Sequence, residues 1–426
     1  KSAPSEIANI IYSSVKPVTN IAISGSRYFS PNTDSEMKNI SFDVSIPAPD
    51  GVKDRGAKLT NWSIAIVGQD GKEYKKFEGT DAAPSKLVFD GNKAILEPAV
   101  VIKGNDGSSA IPDGTYQAVV SARYQNGYET AVVNSPTFVK DTNIPKATIT
   151  VSSSLFSPDG DGKKDTLQIA AETSSEDKWT ANIYDAKNQI VRTYTWQGKV
   201  PAHVEWSGAD ASGNKVADGS YRIVFESEDA AGNKGSAEIA GIKVDSRETK
   251  AYITADVDAF SPNGDNFLET QKLSRRPSLK DGVDSWSVTI VTPEGKVIKS
   301  WNEQDQKDMP AEINWNGLDS EGKIAEGAFI ANLKIAYAKG NEVDVNSSLF
   351  ICSVTPPQLT VKTAPQYFSP DNDGENDDLY IQLNALASEL GGFFERFKRI
   401  FRRELGHARV GEPHRTVVRN LCLHIL

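Results

Sequence analysis

Apolar and polar residues alternate in short runs through most of this chain, and the runs come in pairs around polar turns. Residues 180–196 (TANIYDAKNQIVRTYTW) form two such runs about a turn at 185–188. Residues 286–301 (WSVTIVTPEGKVIKSW) repeat the pattern around Pro293, Glu294 and Gly295, and residues 62–77 (WSIAIVGQDGKEYKKF) around Gln69, Asp70 and Gly71. Alternation on both sides of Gly, Asp or Pro predicts β-hairpins. Asp113-Gly114, Asp218-Gly219 and Glu326-Gly327 predict tight turns that launch a further strand. No helical periodicity intrudes before about residue 385.

The pattern recurs. A Phe-Ser-Pro triplet followed by polar residues begins at Phe29, Phe156, Phe260 and Phe368, spacings of 127, 104 and 108 residues. A second anchor keeps the register: WSGADASGNKVADGSY at 206–221 matches WNGLDSEGKIAEGAF at 315–329. In the first copy this segment is interrupted between Gly91 and Pro112 by an insertion. A period near one hundred residues means tandem domains, since solenoid repeats are shorter, about 20–50 residues. The expected fold is all-β: three complete antiparallel β-sandwiches with a fourth begun. The expected divisions are a leader at 1–20, sandwiches at 21–143, 144–246 and 247–355, an incomplete repeat at 356–385, and an atypical tail at 386–426. Short polar joints predict an elongated array with limited bending. The tryptophans and tyrosines are assigned to core packing, against the alternative of an exposed sugar-binding strip.

These residues resemble a known group. Phe-Ser-Pro-Asn/Asp-x-Asp-Gly, Trp-Ser/Asn-Gly-x-Asp-x-x-Gly, Asp-Gly-x-Tyr and an Ala-Gly-Asn turn are similar to bacterial Ig-like repeats. The nearest patterns are the Ig-like domain of flagellar hook-capping proteins (the FlgD type) and the C-terminal modules of gliding-bacterium surface proteins. The resemblance covers about residues 21–385. It is good in repeats two and three, partial in the first, and limited to the opening strand of the fourth. It implies an Ig-like fold and an exported bacterial protein, periplasmic, outer-membrane-associated or extracellular; it implies little about activity.

The loop after each Phe-Ser-Pro carries oxygen ligands at fixed offsets. Repeat two has Asp159, Asp161 and Asp165, repeat four Asp371, Asp373 and Asp377, both in D-x-D-G-x-x-D. Repeat three has Asn263, Asp265 and Glu269, with Asn266 in place of the glycine. Repeat one offers Asn32 and Asp34, then Lys38. Alternate acids followed by Gly are the start of an EF-hand loop, and calcium takes six to eight oxygens. These residues are therefore candidate ligands of a structural Ca2+, with Asp229 and Asp319 as conceivable additions. Asp, Asn and Gly are equally the ordinary residues of turns, and that reading explains the same loops without a metal.

Charge and composition narrow the function. The net charge of -10 argues against a nucleic-acid binder, which needs clustered Lys and Arg. No apolar run is long enough for a transmembrane helix. Two cysteines, Cys352 and Cys422, leave no disulfide framework. No nucleophile elbow, zinc-protease motif, phosphate loop or dinucleotide fingerprint occurs. The reading is a non-enzymatic stalk, scaffold or adhesive protein of the bacterial surface, with a protein or glycan partner. Its alternatives are accessory or anchoring modules of a larger exported enzyme, or a surface lipoprotein antigen. The start at Lys1 is taken as that of a processed protein or an excised fragment.

The tail differs. Residues 386–426 hold seven of the fifteen arginines and three of the four histidines. Within it, 390–405 has the pattern of a basic amphipathic helix, suited to an anionic membrane or a partner. A lost reading frame or a joined foreign segment would produce the same abrupt change. The tail is expected to be helical or disordered.

Overall fold

The computed structural model describes residues 11–49, 57–80, 82–100, 109–355, 358–367, 375, 379–386, 409–410 and 419–425. It holds tandem antiparallel β-sandwiches, the architecture expected from the alternation. The chain divides into two compact units, Lys1–Ser246 and Arg247–Leu426.

In the first unit, one sandwich pairs a sheet of Asn20–Ser24, Ile40–Ser45, Lys86–Phe89 and Ala94–Glu97 with a second sheet. The second sheet runs Tyr28–Phe29, Phe138–Lys140, Gly114–Tyr124, Leu59–Gly68 and Glu73–Gly79, with Val133–Asn134 added on Gly114–Tyr124. The insertion anticipated after Gly91 supplies Ala94–Glu97 as an edge strand.

The next sandwich repeats this plan with a three-stranded sheet, Ala147–Val151, Leu167–Thr173 and His203–Trp206. Its partner sheet runs Leu155–Phe156, Lys234–Val244, Gly219–Glu228, Glu176–Tyr184 and Ile190–Gly198. In the second unit the third sandwich has Ala251–Ala255, Gln271–Pro277 and Glu312–Trp315 in one sheet. The other runs Ala259–Phe260, Phe350–Cys352, Gly327–Tyr337, Val283–Val291 and Val297–Asn302, with Glu342–Asn346 alongside.

The phenylalanine of each triplet has a single structural task. Phe29, Phe156 and Phe260 lie on two-residue strands that pair in parallel with the last strand of their sandwich. Each ring is buried in its core. Phe156 meets Trp206 edge to face at 5.3 Å, and Phe260 meets Trp315 at 5.5 Å. Such pairs add about 0.5–1.5 kcal/mol beyond area burial. Trp62, Trp179, Trp206, Trp286 and Trp315 are buried, and Trp196 and Trp301 pack against the cores from the edge. All seven tryptophans are thereby spent on packing, and no tryptophan strip faces solvent.

A further four-stranded sheet follows, ordered Gln358–Ala364, Leu379–Leu386, Arg419–Ile425 and Arg409–Val410. The strand expected to stand alone in the fourth repeat is thus flanked on both sides, and the tail provides one flank. Alternation in RNLCLHI (419–425) carries that strand signal, and the surrounding arginines and histidines obscure it in sequence. The predicted helix at 390–405 lies outside the described residues. Among the described residues no helix is long and apolar enough to cross a membrane.

Candidate functional site

The loop after Phe156 is closed by the Ser157 amide donating to the Lys164 carbonyl at 2.9 Å. Gly160 and Gly162 take φ of +87° and +84°, values that glycine reaches at no steric cost. Those turns bring carboxylate oxygens of Asp159, Asp161 and Asp165 within 4.8 Å of one another. The sequence reading named these three, and the loop brings them together.

Their roles differ. Asp165 accepts the amides of Gly160 at 2.6 Å and Gly162 at 2.7 Å, one on each oxygen. Asp159 accepts the Ser157 hydroxyl and the Asp161 amide, and Asp161 accepts the Lys163 amide at 2.8 Å. The third acid therefore ties the loop to itself, as charge-assisted bonds from amides do for an ionised carboxylate. A cation would have to use the lone pairs these bonds leave.

The third sandwich repeats the arrangement. Glu269 accepts the amides of Gly264 at 3.0 Å and Asn266 at 2.9 Å, while Asn263 and Asp265 accept those of Asp265 and Phe267. Asn266 adopts φ +63° where the second sandwich has Gly162, which Asn tolerates better than most residues. In the first sandwich the loop contracts to a 3-10 turn, Glu36–Lys38, capped by Ser35. Asp371, Asp373 and Asp377 lie outside the described residues. Asp229 and Asp319 do not belong to that group of three, and each accepts two backbone amides within its own turn.

A second recurring carboxylate belongs, by its sequence, to a turn. Asp113 Oδ2 accepts the Thr142 amide at 3.0 Å and its hydroxyl at 2.7 Å. Asp218 does the same for Ser246, and Glu326 accepts the Val354 amide and the Thr355 hydroxyl. The acid before each strand-launching glycine thus clasps the chain where it leaves the sandwich. The sequence signal was available: an acid precedes that glycine in all three repeats, and a hydroxyl residue waits 28 or 29 positions later.

Within the first unit these exits feed a joint. Thr33 Oγ1 donates to the Gly232 carbonyl at 3.0 Å, and Asn233 Nδ2 donates to the Asp141 carbonyl at 2.9 Å. Gly232 has φ +83°, and a Cβ on it would lie 2.8 Å from Ser35 Oγ. At Gly235 a Cβ would strike the Pro145 carbonyl. The Ala-Gly-Asn turn of one sandwich is therefore fitted against the shortened loop of the one before it. Beside the joint lies a cleft of about 650 Å³, lined in part by Asp141, Glu176, Asp177 and Asp229.

Comparison with known proteins gives one family match and several solved structures of low similarity. Residues 153–231 match the FlgD Ig-like domain. No curated protein matches the chain. Among solved structures, a tetra-tandem repeat from the extending region of a large adhesion protein is 17% identical, over 87% of this chain and 82% of that one, with a TM-score of 0.27. A structure of a 1.5-MDa bacterial ice-binding adhesin is 16% identical over 79% and 97%, with a TM-score of 0.31. Fibronectin(III)-like modules of Clostridium thermocellum CbhA are 14% identical over 48% and 94%, with a TM-score of 0.26. The three sandwiches share one core strand order, and the second and third share one plan for the loop after their phenylalanine; the second, over residues 153–231, matches the FlgD Ig-like domain.

Proposed function

We propose that this chain is a non-enzymatic, exported bacterial protein whose sandwiches serve as a semi-rigid stalk presenting an adhesive surface to a protein or glycan. One observation carries the reading: loop residues of two successive sandwiches hold the joint between them, in the Thr33–Gly232 and Asn233–Asp141 contacts. Loops spent on holding neighbours together suit a spacer. The FlgD Ig-like match supports a place in the bacterial envelope or beyond it.

Calcium belongs to this reading as a stiffener of the Asp159, Asp161 and Asp165 loop, supported by the closeness of the three carboxylates. Its role would be structural, raising the cost of opening the loop.

The test of the stalk is a distance measurement. Spin labels on exposed positions of Glu73–Gly79 and Ile190–Gly198, in the full chain, report the joint directly. A narrow distance distribution is expected; a broad one, like that of domains on a free tether, overturns the stalk. Labelling of intact source cells with an antibody against the sandwiches tests the surface placement, and labelling only after lysis and cytoplasmic release overturns it.

A further inference from the structure

Strand register aligns the three cores residue by residue. Phe89 pairs with Ile40, Trp206 with Leu167 and Trp315 with Gln271. Four residues along the same inward face come Val44, Ala171 and Arg275, all buried. A guanidinium thus occupies, in the third sandwich, a place that is aliphatic in both sister domains of the same chain.

Gln271 is a polar replacement of the same kind, for Ile40 and Leu167, and it is fully engaged. Its Oε1 accepts the amides of Asp256 at 3.1 Å and Val257 at 3.2 Å, and its Nε2 donates to the Val257 carbonyl. Arg275 has no such provision. Its residue is 5% exposed, and Nε, Nη1 and Nη2 are shielded from water without a hydrogen-bond partner. The Trp286 ring lies 5.5 Å from its Cζ. Burial pushes its pKa down to about 10, so the group stays cationic at neutral pH.

An unpaired buried cation is costly, and the fold does not need one here, as Val44 and Ala171 demonstrate. Arg275 and Trp286 line a cleft of about 680 Å³, within the range of small-molecule sites. Three cations, Arg276, Lys280 and Lys307, and three carboxylates, Asp284, Glu303 and Asp308, also line it, so Arg275 leaves an excess of positive charge. Glu303 turns its carboxylate to the Trp286 amide at 3.4 Å and does not pair with Arg275.

We propose that this cleft binds a small organic carboxylate, held by the Arg275 fork with its body against Trp286. The planar guanidinium matches a carboxylate with two parallel bonds, which a spherical cation site would not select. The cleft wall at Lys307 is tied to Trp286 by the indole N–H donating to the Lys307 carbonyl at 3.3 Å.

Calorimetric titration of the full chain with sodium glucuronate, with glucose and with inorganic phosphate tests the assignment. Saturable glucuronate binding is expected, with none for glucose. Arg275→Val, which installs the residue of the first sandwich, should keep the circular dichroism of the wild type and weaken binding at least about tenfold. Arg275→Lys keeps the charge, loses the fork and should also weaken binding about tenfold; it carries the comparison if Arg275→Val fails to fold. No saturable heat with glucuronate up to about 50 mM overturns the proposal. So does equal binding of glucose, undiminished affinity in a folded variant, or binding of phosphate without glucuronate.

Discussion

Asp218 Oδ1 receives both the backbone amide of Ser246, at 2.7 Å, and its hydroxyl, at 2.9 Å. The two residues stand 28 positions apart and close the second sandwich at its exit. Asp218→Ala removes both acceptors and leaves the exit strand to fray. A loss of about 1 kcal/mol is expected, because these bonds are at the surface and compete with water. For a domain of this size that corresponds to a fall of roughly 4–8 °C in its melting midpoint. Calorimetry reads the midpoint, and limited proteolysis should report faster cleavage near residues 245–250. An unchanged cleavage pattern would remove the clasp from the account.

That clasp shows where sequence reading ends. Alternation, turn glycines and the Phe-Ser-Pro period make the sandwiches legible, because burial of every second residue writes itself into the chain. The acid of Asp218-Gly219 is legible as a turn residue, while its bond to Ser246 depends on a fold that brings the exit back to the turn. Likewise Asp165 reads as the third ligand of a calcium loop, yet its two oxygens hold Gly160 and Gly162. Arg275 stands beside Arg276 in sequence with no motif around it, and only register against Val44 and Ala171 makes it an inward-facing residue.

Asp161 and Asp165 should therefore respond differently to calcium. Asp165→Ala deprives two amides of their acceptor and is expected to lower stability with or without the ion, by about 1 kcal/mol, since these bonds too are at the surface. Asp161→Asn leaves the two bonds to Asp165 in place and should abolish only the gain from calcium. For the wild type, a few millimolar calcium acting on a site of 10⁻⁴–10⁻³ M affinity contributes about 1–2 kcal/mol. Melting in calcium and in chelator separates these cases. A wild-type midpoint indifferent to calcium would leave the loop as a self-closed turn.

Gly232 tests the joint in the first unit. Its φ of +83° disfavours any side chain, and a Cβ there would press on Ser35 Oγ and on Met37. Gly232→Val should cost about 1–2 kcal/mol of local strain and broaden the distance distribution between labels on the two sandwiches. The strand cores lie elsewhere, so far-ultraviolet circular dichroism should be unchanged. A distribution as narrow as that of the wild type would mean that the contacts of Thr33 and Asn233 do not set the joint.

Asp113 links the first sandwich to pH. Burial pushes its carboxyl up, but hydrogen bonds from Lys140 Nζ at 2.8 Å and from the Thr142 hydroxyl and amide outweigh it and hold it below the ordinary 3.8. In the folded state the group thus keeps its charge to lower pH than in the unfolded chain. Its contribution is complete above the unfolded value and is lost as pH falls through the depressed folded one. Lys140 is nearly buried, so Asp113→Asn also strips an ammonium of its counter-charge, at an expected cost of about 1–3 kcal/mol near neutrality. Urea midpoints of wild type and Asp113→Asn should differ most at pH 7 and 5 and converge toward pH 3 and below. The convergence follows because protonation then removes in the wild type the charge that the substitution removes at every pH. A gap that persists undiminished in acid would assign the effect to packing around Lys140 rather than to the ion pair.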